Sequence, residues 1–125
     1  MKHVLLIGLR PEVVDYADPS LPPGMTAEKI RAGIGIALDG MKQRGWQAES
    51  CLIEAEAGAA AREIERRLAG AAWDCVVIGA GVRLPPRNLV LLETVLNAVR
   101  RVAPGAAIAF NTRPEDSADA AARWL

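Results

Sequence analysis

Short runs of unbroken apolar residues alternate along the chain with longer stretches in which apolar positions recur every three or four residues. Val4 to Ile7 and Cys75 to Ile78 hold no polar side chain at all. A run that does not alternate cannot turn one face to water, so His3 to Leu9 and Cys75 to Ile78 read as strands covered on both faces. Trp46 to Ile53 alternates loosely and is less apolar, which suits a strand nearer a sheet edge, and Ala106 to Phe110 is the last strand.

The stretches between them carry helical spacing. Thr26 can cap a helix whose Ile30, Ile34, Leu38 and Met41 share one face, and Lys42, Arg44 and Gly45 end it. Ala57 to Ala69 places Ala57, Ala60, Ala61, Ile64 and Leu68 inward and closes on Arg66, Arg67 and Gly70. A long apolar helix is predicted over about Pro86 to Ala103, with Leu89, Leu92, Val95, Leu96, Val99 and Val102 facing the core. Val90 and Leu91 widen that stripe beyond one sheet face. Thr112 and Glu115 have the spacing of a capping box opening a final helix through Trp124. Gly33 and Gly35 fall inside the first helix, each costing roughly 1 kcal/mol against Ala, so close packing on the sheet is the expected reason for them.

A strand–helix unit repeated four times calls for a parallel sheet with right-handed crossovers and helices on both faces. The expectation is one three-layer α/β/α domain over residues 1–125, with a four-stranded parallel sheet in the order 2-1-3-4. That order sets the two most apolar strands side by side in the middle. A Rossmann-like order, 3-2-1-4, is the alternative and would bury the more polar second strand. The layout resembles flavodoxin-like domains, and the resemblance implies the sheet arrangement alone. Where a flavodoxin has a Gly- and hydroxyl-rich phosphate loop, this chain has Arg10-Pro11-Glu12. Where a receiver domain has its acids and phosphoacceptor, it has Leu9-Arg10 and Gly79-Ala80. Neither Cys is followed by an Arg six positions on, as in a low-molecular-weight phosphatase, and no Walker pattern occurs. Gly79-Ala80-Gly81 begins like a dinucleotide fingerprint, but Leu84 stands where its third glycine would fall. Gly33-Ile34-Gly35 begins the same way inside a helix. No cofactor follows from any of these.

Composition narrows the classes further. Fifteen basic and fifteen acidic residues cancel, which argues against nucleic acid or an anionic membrane as partner. Two cysteines and a single His, His3, do not make a metal site. Both thiols fall in predicted strands and read as buried and free, the state expected in a reducing cytoplasm.

In an open parallel sheet a ligand sits beyond the carboxyl ends of the strands where strand order reverses, here between the first and third. Arg10, Arg83, Arg87 and Arg113 are all predicted at that edge, with Gly79, Gly81, Asn111 and Thr112. Together they form a candidate site for a small anion, a phosphate or carboxylate, held by guanidinium forks. In the competing reading the same arginines solvate loop ends and pair with Asp15, Asp18, Glu54 or Glu56. Residues 10–23 contain Pro11, Pro19, Pro22 and Pro23, too many for a helix or an inner strand, and form a long loop able to act as a lid. Within it Tyr16, Asp15 and Asp18 are candidate acids or anchors. His3 belongs at the opposite end of the sheet, which leaves no His-based triad. The first functional reading is therefore a binding or regulatory module without catalysis that self-associates, Val90, Leu91 and Trp124 supplying a homodimer face. The second is an enzyme or sensor for a small anionic ligand at the arginine-lined edge.

Overall fold

The sheet has four parallel strands, β1 (His3–Leu9), β2 (Gln47–Ile53), β3 (Cys75–Ile78) and β4 (Ala107–Phe110), in the order β2-β1-β3-β4. The computed structural model describes residues 1–125. Val4 to Ile7 pair one for one with Cys75 to Ile78, and all eight are buried. Alternate side chains on each strand feed opposite layers, so an unbroken apolar run is what this position requires. Leu5, Ile7, Val76 and Ile78 enter the larger core, while Val4, Leu6, Cys75 and Val77 enter the smaller one.

The larger core is covered by α2 (Ala57–Ala69) and α4 (Leu89–Val102), the smaller by α1 (Ala27–Gln43) and α5 (Ser117–Ala122). Ile64, Leu68, Leu91, Val95 and Val99 fill the first with branched aliphatics. The second is a layer of small side chains, Ala37, Ala48, Ala109, Ala118, Ala120 and Ala121, with Met41 the one long buried side chain from a helix. Such a layer lets α1 and α5 lie close to the sheet.

Local signals explain the element ends. The Thr26 hydroxyl accepts from the Lys29 N–H at 3.2 Å, and the Glu56 carboxylate accepts from the Ala59 N–H at 2.7 Å, each capping its helix. Gly45, at φ 83°, makes the left-handed turn from α1 into β2. At the amino end of the sheet His3 stacks on Trp73 with ring centroids 3.8 Å apart, and its Nε2 lies 2.8 Å from Glu49 Oε2. The hydrogen bond from His3, with help from Arg67, holds the Glu49 carboxyl below its ordinary range.

Four details differ from the sequence reading. The segment after β3 is not simply a loop: α3 (Ala80–Arg83) makes one turn immediately, and a 3-10 turn at Pro86–Asn88 precedes α4. Leu91 is buried at 4 % exposure while Leu89 is 62 % exposed, because Leu91 lies on the i, i+4, i+8 line with Val95 and Val99 and Leu89, at the first position of α4, does not. The acid that closes the last helix start is Asp116, not Glu115. Its carboxylate takes the N–H of Thr112 at 3.0 Å, that of Arg113 at 3.4 Å, and the Thr112 hydroxyl. A 3-10 turn at Pro114–Asp116 shifts the register of the box.

The helix glycines are the fourth difference. Gly33 is buried, and a Cβ there would stand 3.0 Å from Pro114 Cβ and 2.9 Å from Glu115 Oε1. It packs against the turn before α5, not against the sheet. Gly35 is exposed, and a Cβ there would meet nothing within 4 Å. The two should therefore separate in urea denaturation. Gly35→Ala is expected to raise stability by up to about 1 kcal/mol through helix propensity. Gly33→Ala is expected to lose that gain, or reverse it, by pushing on Pro114.

Candidate functional site

The carboxyl ends of β1 and β3 lie side by side, and the chain leaves them in opposite directions. From Leu9 it turns through a 3-10 turn, Pro11–Val13, and crosses toward α1. From Ile78 it passes at once into α3 under the other helix layer. Between the two exits is a cleft of about 90 Å³. Leu6, Gly8 and Leu52 form its floor, Ile30 and Ile34 of α1 one wall, and Gly79 to Gly81 with Leu84 the other. Val14, Leu21, Pro22 and Met25 close it from the loop side, and Asn111 to Pro114 complete the rim. A second hollow of about 240 Å³, lined by Lys29, Gly33, Ile36 and Glu115, lies behind Met25, Ile30 and Pro114.

Asn111 holds this rim together. It is 2 % exposed, and all its hydrogen-bonding groups but one N–H face protein partners. Its Oδ1 accepts from the Ala80 N–H at 2.8 Å, its Nδ2 donates to Ser117 Oγ at 2.9 Å, and its carbonyl accepts from the Arg83 guanidinium at 2.9 Å. One side chain thus ties the start of α3 to the start of α5 across the top of β3 and β4. Gly79 makes the tight exit possible: its N–H reaches Ile7 O at 2.8 Å, and a Cβ would meet that same oxygen at 3.2 Å. The Gly81 carbonyl is taken by the Asn88 amide at 3.0 Å.

Of the residues expected at the site, Gly79, Gly81, Asn111, Thr112 and Arg113 line the one cleft. The arginines do not converge on it. Arg10 stands by Glu54 at 3.5 Å and Glu12 at 3.7 Å, and Arg87 pairs with Asp15 at 2.9 Å. Arg83 lies over the Phe110 ring, 5.6 Å from its centroid, with its Nε buried and unpartnered. Arg113 alone of the four borders the cleft, and no carboxylate lies within ion-pairing distance of it.

The Pro-rich loop is ordered by its own contacts. The Tyr16 hydroxyl donates to Pro11 O at 2.7 Å, and Arg31 of α1 grips Glu12 at 2.6 Å. Asp18 accepts from the Ser20 hydroxyl and backbone N–H, which hold its carboxyl below the ordinary range. Backbone hydrogen bonding and Arg31 do the same for Glu12, while burial raises the Tyr16 phenol. These groups are committed to loop structure. Elsewhere, burial pushes the Cys51 and Cys75 thiols up to about 11, which removes the thiolate a nucleophile needs. His3 is at the far end of the sheet, and no group of three His, Cys, Asp or Glu side chains is placed to hold a metal.

Missing from the sequence reading were the apolar lining residues, above all Val14 and Leu21. Their signal was present: large apolar side chains in a loop rich in Pro, Asp and Glu mean that the loop lies on something. No protein-family model matches the chain, and no curated protein matches it.

Replacing Asn111 tests how far the rim depends on it. Asn111→Leu keeps the volume but leaves the Ala80 N–H without its acceptor, so a loss of about 2–3 kcal/mol is expected in urea denaturation. Amide exchange at Ala80 and Gly81 should rise more than exchange within β1.

Proposed function

We propose that this protein is a small-ligand binding module without catalysis of its own, and that the ligand occupies the cleft at the carboxyl edge of the sheet. The observation that carries the reading is the position and lining of that cleft. It opens where strand order reverses, is walled by apolar side chains, and has a short polar rim at Asn111, Thr112 and Arg113. The loop over it is pinned by the Glu12–Arg31 and Asp15–Arg87 pairs, exposed contacts of modest strength that suit an entrance able to open. Catalysis finds little support, since the cleft brings no paired acid and base and no activated nucleophile together. An anionic ligand remains part of this reading through Arg113. Arg10 and Arg87 join it only if a ligand draws them from their carboxylates, and Arg83 only if it leaves Asn111. Free thiols buried in separate layers fit a reducing compartment such as the cytoplasm. No helix is long and apolar enough to cross a membrane.

A panel of small amphiphiles in thermal denaturation tests this. A ligand at ten times its Kd should raise the melting temperature by about 5 °C. Gly8→Val should abolish the rise while the protein stays folded, because a Cβ at Gly8 meets only Leu52 Cδ2, at 3.9 Å, and the side chain fills the floor of the cleft. Gly81→Leu serves the same purpose from the wall, where a Cβ meets nothing within 4 Å. A rise that survives both substitutions would put the ligand elsewhere.

Self-association is the second part of the proposal, and exposed apolar side chains favour it. Leu89 and Val90 are 62 % and 64 % exposed at the start of α4, and Trp124 is 62 % exposed beyond α5. β4 is an edge strand of the sheet, and its outer row of backbone polar groups has no strand partner. Light scattering on a size-exclusion column should give a mass above the 13.3 kDa of one chain, and Val90→Asp should return it to that value. A single-chain mass for the unaltered protein at millimolar concentration ends this part of the reading.

A further inference from the structure

The chemistry of the cleft wall selects a class of ligand. Among the residues that line it, only Asn111, Thr112 and Arg113 have polar side chains. Two of these are already engaged inside the protein. The Asn111 amide is held by Ala80 and Ser117, and the Thr112 hydroxyl donates to Asp116. Arg113 is the one polar side chain of the wall with no side-chain partner, and the wall contains no acid. A ligand therefore meets apolar surface on every side and a single guanidinium at the mouth.

Size narrows the class further. A cavity of ~150 Å³ takes benzene, so the roughly 90 Å³ here has room for about three or four carbon atoms. One guanidinium matches one carboxylate in charge and in its two-pronged geometry, whereas a phosphate dianion needs several donors that this rim has already committed.

We propose that the site takes a short-chain aliphatic carboxylate, its alkyl tail between Leu6, Ile34 and Leu52 and its carboxylate against Arg113. The inference rests on the reading of the cleft as a ligand site and adds the identity of what fills it. Burial of a three-carbon tail supplies affinity, and the Arg113 contact supplies the preference for acid over alcohol. Arg113 is exposed and makes no contact that the fold relies on through its side chain, so its replacement leaves the protein intact.

The test compares butyrate, 1-butanol and inorganic phosphate by amide NMR titration of the full chain and of Arg113→Gln and Gly8→Val. Butyrate is expected to bind about tenfold to a hundredfold more tightly than 1-butanol, with the shifts centred on Gly8, Gly79 to Gly81 and Thr112. Arg113→Gln should remove that preference and leave butanol binding unchanged, while Gly8→Val should abolish both. Equal binding of butyrate and butanol, each blocked by Gly8→Val, overturns the carboxylate and leaves the cleft reading standing. Phosphate binding that matches butyrate and ignores Gly8→Val overturns the apolar tail. No binding of any of the three overturns the proposal, and the thermal-denaturation panel of amphiphiles then decides the cleft reading separately.

Discussion

The pairing of β1 with β3 is the constraint from which the rest follows. Two strands buried on both faces have no water to satisfy their backbone, so each must find a full ladder of partners, and Val4 to Ile7 find Cys75 to Ile78. With right-handed crossovers, setting those strands side by side forces α1 to one layer and α2 to the other. The chain must then leave the two strands on opposite sides. The gap between the exits is a product of topology before any side chain is chosen, and the side chains decide only what it can hold. Here they make it apolar, because the loop returning over it brings Val14, Leu21 and Pro22 with it.

Much of the fold was legible from local pattern. Unbroken apolar runs marked the inner strands, the looser alternation of Trp46 to Ile53 marked an edge strand, and basic residues followed by glycine marked helix ends. Strand order followed from which strands could tolerate full burial. The details that escaped depend on geometry too local or too distant for spacing to show. Leu91 continues the inward line of Val95 and Val99 at i, i+4 and i+8, whereas Leu89, at the first position of α4 after a 3-10 turn, lies on the opposite side of the helix. A similar turn moves the closing acid from Glu115 to Asp116.

The candidate site was legible in place but not in character. Strand ends and glycines fixed the edge, and five of the eight residues expected there do border the cleft. What spacing cannot show is where a long side chain goes. Arg87 finds Asp15 seventy-two positions away in sequence, and Arg83 finds a carbonyl and an aromatic ring on the next strand. Arginine is long enough to choose among several partners, and the choice is made by the tertiary fold. A buried Asn joining two helix starts is likewise invisible until those starts are adjacent, although the position of Asn111 at a strand end already marked it.

The two thiols sit in different layers, Cys51 among the branched aliphatics under α2 and α4, Cys75 among the alanines under α1 and α5. The sheet separates them, so neither can reach the other while the strands are intact. Each is shielded by its own pair of helices, and the loosening of one layer uncovers one sulfur only. The protein thereby contains a native reporter for each half of its interior: the rates at which the two sulfurs exchange with a disulfide reagent would resolve whether the layers breathe together or one at a time.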